Sequence, residues 1–274
     1  MDQKVSIITV VFNNVEKIEK TIQNVLRQTY QNLEYIVVDG ASTDGTIDVI
    51  RKYDKQLKWI SEPDNGIYDA MMKGVKLATG EWVLFRNCGD YFCKPSSIKD
   101  LFDIYEKDLG EDFLLADSCL FRSWGYKNCK PSILNSSFYD SMPVMHPSTF
   151  VRRSTQLKYP FHLEYKNSAD YCFFVETLLE GAKWKYFNLI ISYVESDVGV
   201  TAFHYDRTLA ENLDFLKKYG APETRINQLE KYYKSVRIKS SFYKYIPFLE
   251  QYRKIKMLRN GWVQANIDRL LDEV

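Results

Sequence analysis

The sequence predicts an α/β domain on a mixed, largely parallel sheet flanked by helices, followed by a helical extension. Three observations carry this: short β-branched runs apolar on both faces, amphipathic segments at helical spacing between them, and clusters of Gly, Asp, Ser and Asn where the runs end. The chain has 274 residues, 45% hydrophobic and 27% charged, enough to bury one sizeable core plus a small appendage, which excludes disorder and fibre.

The first strand runs from Val5 to Phe12, too short for a helix and without a polar face. Val15, Ile18, Ile22, Val25 and Leu26 then recur at helical spacing, with Asn13 and Asn14 in capping positions. LEYIVVD is a second buried strand ending at Asp39, and the GASTDGT turn launches a helix over 46–53. LKWIS reads as a third strand and EPDNG as a loop. Ile67, Ala70, Met71, Gly74, Val75 and Ala78 share one helical face, with Gly80 placed to end that helix, and WVLF is a strand closing on Asn87-Cys88-Gly89-Asp90.

Past Pro95 the spacing predicts a helix over 98–105, a strand at FLLAD, and a Ser/Asn/Lys-rich stretch to Pro143 that reads as a hairpin or a loop. A strand from Met145 to Val151, a helix from Ala169 to Leu179 and one or two strands from Trp184 to Val194 follow, and from Arg207 the composition is helical. The expected division is a nucleotide-binding unit over 1–205 and a basic-aromatic helical extension over 206–274.

Lys+Arg 37 against Asp+Glu 36 gives a formal net charge of +1, which removes any bulk electrostatic case for nucleic-acid binding. The neutral sum hides an asymmetry. Lys231 to Arg259 holds nine basic residues and one acid, Glu250, leaving 28 basic against 35 acidic residues elsewhere. That stretch reads as an ordinary solvated helix pair, a protein-interaction or homodimer surface, or a surface for peripheral association with an anionic membrane. Five cysteines without zinc spacing or disulfide density point to a reduced, cytoplasmic protein, and the sequence has neither a signal-peptide pattern nor an apolar run of membrane-spanning length.

In an open α/β sheet the ligand crevice lies beyond the carboxyl ends of the strands, which here carry Thr9 to Asn14, Asp39 and Asn87 to Asp90. The turn after the first strand, TVVFNN, lacks the glycines that let a backbone approach a pyrophosphate, which disfavours a dinucleotide or nucleotidyl-transfer site. Diphosphate charge must then be met otherwise, and a divalent cation held by Asp90 is the economical choice.

VSIITVVFNN, QTYQNLEYIVVDGASTDGT and EPDNGIYDAMMKGVKLATGEWVLFRNCGD, in this order, resemble the inverting family 2 glycosyltransferases of the GT-A fold, in the branch that makes bacterial surface polysaccharides. The resemblance covers roughly residues 4–200. It implies transfer of a sugar from a nucleotide diphosphate donor, UDP-linked, to a hydroxyl of a glycan or lipid-linked saccharide, with Mn²⁺ or Mg²⁺ as cofactor, at the inner face of the cell membrane. By the same resemblance Thr9, Val11 and Asn13 lie along the nucleobase, Asp39 accepts a base N–H with Ser42 behind it, and Asp64, Gly66 and Asp69 lie near the ribose and diphosphate. Asp44 reads as a helix cap.

The family's Asp-x-Asp metal motif is here Asn87-Cys88-Gly89-Asp90, leaving Asp90 as the metal carboxylate and Asn87 as a neutral oxygen ligand. Arg86 reads either as a diphosphate contact or as a solvent-reaching edge residue. KNSADYCFFVETL resembles the segment carrying the catalytic carboxylate, which maps to Asp170, with Cys172 where relatives often have a second acid. The simpler role for Asp170 is a cap on its own helix. His146 matches a polar position near the diphosphate or metal, or is a satisfied core histidine, and Thr201 is the polar contact of the loop closing over the donor. The eroded metal motif keeps open a non-catalytic or metal-independent nucleotide-sugar-binding protein.

Overall fold

The computed structural model describes residues 3–105, 108–135, 138–139, 141–196, 205–243, 257–265 and 267. In chain order the elements are β1 (Val5–Val11), α1 (Val15–Leu26), β2 (Leu33–Asp39), α2 (Thr46–Arg51), β3 (Lys58–Ser61), α3 (Ile67–Leu77), β4 (Trp82–Phe85), β5 (Tyr91–Phe92), α4 (Ser97–Ile104), β6 (Phe113–Arg122), β7 (Gly125–Cys129), β8 (Thr149–Arg152), α5 (Arg153–Lys158), α6 (Ala169–Leu179), β9 (Trp184–Glu195), α7 (Tyr205–Lys218), α8 (Glu223–Tyr243) and β10 (Val263–Gln264). The strands form one mixed sheet in the order β10-β7-β6-β8-β4-β1-β2-β3, with β9 paired to both β5 and β6.

β4, β1, β2 and β3 are mutually parallel, so their carboxyl ends share one edge of the sheet, with Val11 opposite Asp39 and Asp39 opposite Ser61. β8 joins β4 antiparallel, and β9 runs parallel to β6 across a register shift near Asp117. The alternation of side chains along each strand divides the core between two faces. Ile8, Val10, Ile36 and Val38 pack with Met71 of α3, Phe173 and Phe174 of α6, and Phe215 of α7. Ile7, Val11 and Val37 pack with Ile18 and Ile22 of α1 and with Ile98 and Leu101 of α4.

Two glycines permit close approach. A Cβ on Gly74 would lie 2.4 Å from Cγ2 of Ile8, so α3 can rest on β1 only with a bare backbone there. Gly80 does not end α3 in a left-handed turn as expected; the helix stops at Leu77, with Ala78 extended at φ −63° and ψ 145°. A Cβ on Gly80 would lie 2.7 Å from the backbone nitrogen of Ser6, so glycine is required by proximity to β1.

The structure also revises other expectations. Met145 to Ser148 is not strand: His146–Ser148 is a 3₁₀ turn with Pro147 in its first turn, and β8 begins at Thr149. The polar stretch before Pro143 resolves into the β6–β7 hairpin and a 3₁₀ turn at Ser132–Leu134, and 184–195 is a single strand. The tail is not helical throughout, since Val263–Gln264 pairs with Tyr126 and Gly125 of β7 and Trp262 packs on Trp124, ring centroids 5.5 Å apart. Among the described residues no helix is long and apolar enough to cross a membrane.

Candidate active site

At the shared strand edge, Asp39 closes β2 with its carboxylate fully buried. Its Oδ2 accepts hydrogen bonds from the Ser42 backbone N–H at 2.9 Å and the Ser61 hydroxyl at 2.6 Å, while Oδ1 is buried with no partner among the described residues. A buried carboxylate oxygen without a donor is costly and marks a place for an incoming N–H. The adjoining loops are laced together: Asn13, in the left-handed region at φ 46°, donates its N–H to Ser42 Oγ at 2.7 Å and accepts from the Thr43 N–H at 2.9 Å. Phe12 stays 63% exposed beside Gly40, an aromatic face at the mouth of this pocket that the sequence reading passed over.

The other residues expected along the donor divide by role. Thr9 is fully buried, donating to the Arg86 carbonyl at 2.7 Å and lying 3.0 Å from the Tyr35 hydroxyl, so it ties strands together beneath the edge. Val11 is buried and its carbonyl accepts from the Gly40 N–H. Asp44 is a cap as expected, accepting from the Thr46 N–H and hydroxyl and from the Val15 N–H. Asp64 accepts from the Gly66 N–H at 2.8 Å, and its other oxygen lies so near Gly40 that a Cβ there would be 2.5 Å away, bringing the β2 and β3 loops together. Asp69 is turned back on the start of α3, accepting from the Asn65 N–H at 2.9 Å. Thr201 lies outside the described residues.

A second cluster forms beyond β4. The Asn87–Asp90 turn is held by the Asp90 N–H donating to the Asn87 carbonyl and by the Gly89 N–H donating to Thr21 of α1, with Gly89 at φ 99°, a conformation that favours glycine. Burial pushes the Asp90 carboxyl up to about 6 against the opposing charges of Arg86, His146 and Lys17. Arg86 is neither a diphosphate contact nor an exposed edge residue. It is fully buried, stacked 3.9 Å from the Phe92 ring, and donates to Ser192 Oγ at 2.9 Å and the Tyr91 carbonyl at 3.3 Å. Burial lowers it to about 10, so it keeps its charge under Asp90.

Asp170 stands in the first turn of α6, where Oδ1 accepts from the Tyr68 hydroxyl at 2.8 Å and from the Tyr171 N–H at 2.9 Å. Its Oδ2 lies 3.4 Å from Nδ1 of His146. Burial opposes ionisation here, but the hydrogen bond and charge of His146, then the bonds from Tyr68 and Tyr171, outweigh it and hold the Asp170 carboxyl below the usual range. One oxygen serves the helix start and the other faces the imidazole. Tyr68, 102 residues away in sequence, was not anticipated.

His146 is the meeting point of the cluster. Its ring is packed edge-on against Phe85 and Phe174, Nδ1 faces Asp170, and Nε2 is buried without a partner among the described residues. It is therefore not the satisfied core histidine of the simpler reading. Its charge also acts on Asp90. Asp170 is thus in contact with the imidazole, whose charge also reaches Asp90, and Asp39 sits two strands from β4 on the same edge, about 10 Å at the usual strand spacing. The turn preceding α6 is fixed from α7, where Glu211 accepts from the Asn167 N–H at 2.9 Å, the Asn167 side-chain amide at 2.8 Å and the Ser168 hydroxyl at 3.0 Å.

For a divalent cation the described residues offer a partial donor set: the Asp90 carboxylate and the Oδ1 of Asn87, which is buried without a partner. No group of three or more His, Cys, Asp or Glu among them is arranged to hold a metal. One carboxylate and one amide oxygen suit a cation that takes its remaining ligands from phosphate and water.

A sequence model described as Glycosyl transferase family 2 matches residues 6–134. Over that stretch the chain is similar to the family 2 glycosyltransferases. That match contains Asp39, Asp64, Asn87 and Asp90 and ends before His146 and Asp170. An uncharacterized glycosyltransferase of Mycobacterium tuberculosis is 35% identical over 96 residues, covering 34% of this chain and 37% of that protein. A putative teichuronic acid biosynthesis glycosyltransferase of Bacillus subtilis is 35% identical over 126 residues, 44% of this chain and 46% of that protein. The chain therefore spans little more than a third of the first of these relatives and under half of the second. A PGL/p-HBAD biosynthesis glycosyltransferase of M. tuberculosis is 24% identical over 221 residues, 78% of this chain and 86% of that protein.

Among solved structures, S. aureus TarS in complex with UDP superposes with a TM-score of 0.62 at 20% identity, covering 92% of this chain and 78% of that one. A mannosyltransferase of Pyrobaculum calidifontis in complex with GDP-Man and Mn²⁺ gives 0.64 at 20% identity, covering 85% and 70%. These likenesses establish the fold as the GT-A arrangement expected from the motifs.

Proposed function

We propose that the protein transfers a sugar, with inversion, from a UDP-linked donor to a hydroxyl of a glycan or lipid-linked saccharide during surface-polysaccharide synthesis. The observation that carries this is a pair of carboxyl groups with opposite tendencies: Asp170, 3.4 Å from His146, held below the usual range and so ionised at neutral pH, and Asp90 pushed up to about 6 by burial against the buried Arg86. Inversion needs one base to take the acceptor proton and positive charge to stabilise the leaving diphosphate. Asp170 is the base, oriented by Tyr68 and His146. Arg86 sets a positive charge on the diphosphate side of the site, while Lys17 is ion-paired with Glu195.

A divalent cation, Mn²⁺ or Mg²⁺, bound at Asp90 and Asn87 would supply further charge stabilisation to the leaving group. The unpartnered Oδ1 of Asp39 supports recognition of a base N–H there, and the exposed Phe12 ring offers a stacking surface. The UDP complex of TarS supports the donor class, and the putative teichuronic acid biosynthesis role of the B. subtilis relative supports the pathway class. The basic excess over 231–259 supports attachment at the inner face of the cell membrane, where each Lys or Arg contributes about 1 kcal/mol near anionic lipid. Co-sedimentation of the full chain with phosphatidylserine vesicles at low salt, and its loss in zwitterionic vesicles, is the expected result; equal behaviour in both removes the attachment.

Asp170→Asn tests the central assignment. Turnover should fall by about 10²- to 10⁴-fold while UDP affinity, read by thermal shift, is retained. Near-normal turnover would take the role of base from Asp170. Undiminished UDP binding in a wild-type protein that neither transfers sugar nor slowly hydrolyses UDP-sugars would favour the non-catalytic alternative.

A further inference from the structure

A cavity of about 360 Å³ lies beside Asp170, lined from α6, α7, α8 and by Tyr139, Ser141 and Met142. Its volume falls within the range of small-molecule sites, ~300–1,000 Å³. The lining is tyrosine, amide, hydroxyl and aliphatic, and Asp170 is the single charged side chain among the described lining residues. The neutrality is not for want of cations nearby: α7 carries Lys217 and Lys218, but these pair with Glu230 and Asp214.

Two features give the cavity a chemical preference. Tyr171, Tyr232 and Tyr233 supply aromatic surface of the kind that packs against the C–H face of a pyranose ring. Asn212 projects its side chain into the wall, and its Oδ1 is buried with no partner among the described residues, an acceptor awaiting a hydroxyl donor. An anionic group in the same space would face the Asp170 carboxylate, with no cation among the described lining residues to offset the repulsion and His146 engaged on the carboxylate itself.

We infer that this cavity is the acceptor subsite and that it takes an uncharged glycosyl residue, whose hydroxyl is held by Asn212 and presented to Asp170. The phosphate or uronate groups of an acceptor lie outside it. The inference rests on Asp170 as the base, and it assigns to the C-terminal helices the selection of acceptor by charge. Asn212 is a binding residue for one substrate only, since the donor approaches from the other side of Asp170.

The test is direct binding to the full chain, saturated with UDP, of p-nitrophenyl glucoside, galactoside and N-acetylglucosaminide against p-nitrophenyl glucuronide and glucose 1-phosphate, read by saturation-transfer NMR. At least one neutral glycoside should bind and the two anions should not. Asn212→Ala should weaken the neutral glycoside roughly tenfold or more and leave UDP affinity unchanged. Leu229→Trp, which fills the cavity from α8 without touching the strand edge, should abolish glycoside binding while the protein still unfolds cooperatively. Asp170→Asn should admit the glucuronide, because the repelling charge is gone. Binding of glucuronide or sugar phosphate to the wild type as tight as that of the neutral glycosides would overturn the inference. So would an Asn212→Ala or Leu229→Trp variant that loses UDP binding and keeps the glycoside. Failure of Asp170 as base would appear separately, as normal turnover in Asp170→Asn with glycoside binding intact.

Discussion

Replacing Tyr68 with Phe removes one oxygen and changes little else. The ring is 8% exposed and lies 5.2 Å from Phe161, a contact that phenylalanine keeps. What disappears is the 2.8 Å hydrogen bond to Oδ1 of Asp170. In the wild type that bond is made at every working pH, because burial and then the charge of Asp170 hold the Tyr68 phenol well above its ordinary range. A hydrogen bond to a charged acceptor contributes about 1.5–3 kcal/mol, and one pH unit corresponds to about 1.4 kcal/mol, so its loss raises the pH at which the base protonates by roughly one to two units. Asp90 shows that burial, even against opposing cations, drives a carboxyl in this site up to about 6.

The sign follows from the role. A general base must be ionised, so the acid limb of the kcat profile should move upward in Tyr68→Phe, while the plateau at neutral pH stays within about threefold of wild type. The assay is UDP release under saturating donor and glycoside acceptor across the acid range, with thermal unfolding recorded at each pH to separate inactivation from protonation. His146→Ala added to Tyr68→Phe should move the limb further, since His146 is the larger of the two influences on Asp170. Superimposable acid limbs in wild type and Tyr68→Phe, with kcat retained, would refute the reasoning that Tyr68 tunes the base.

Further outcomes follow from the same geometry. Metal-stimulated UDP binding should be full above about pH 6 and fade below it as Asp90 protonates, and Asp90→Ala should abolish the stimulation at all pH; calorimetric titration with and without Mn²⁺ reads both. Glu34→Gln should destabilise the fold by about 1–3 kcal/mol at pH 7. Its 6% exposed carboxylate accepts from Ser6, Lys58 and Thr79, and although burial opposes it these bonds lower it to about 2. A depressed carboxyl stabilises above its unfolded value, so the gap between wild type and Glu34→Gln in urea midpoint should be complete above about pH 4.5 and close as pH falls toward 2.

The parallel half of the fold was legible because its strands are apolar on both faces and its helices keep one clean stripe, so β1 to β4 and α1 to α3 follow from spacing alone. Legibility failed where long-range pairing outranks local pattern. β5 and β10 are two-residue strands that exist only against β9 and β7, and α5 has no periodic stripe long enough to read. The acids of the site were visible as strand-end and helix-start residues. Their partners were not: Tyr68 reaches Asp170 across 102 residues, and Arg86 sits in an apolar run with nothing local to say whether it points to solvent or to Ser192. The burial of Arg86 against Phe92 could have been suspected only from the hydrophobic residues on both sides of it.

Glu211 reaches from α7 to clamp the peptide just ahead of Asp170, outside the stretch that matches the family. Trimming the protein back to that matching stretch would therefore discard both Asp170 and the anchor that holds its turn. Grafting another enzyme's tail should alter reaction speed together with the choice of sugar chain, because one helix governs both, and lineages diverging in that tail would be obliged to inherit the two traits as a package.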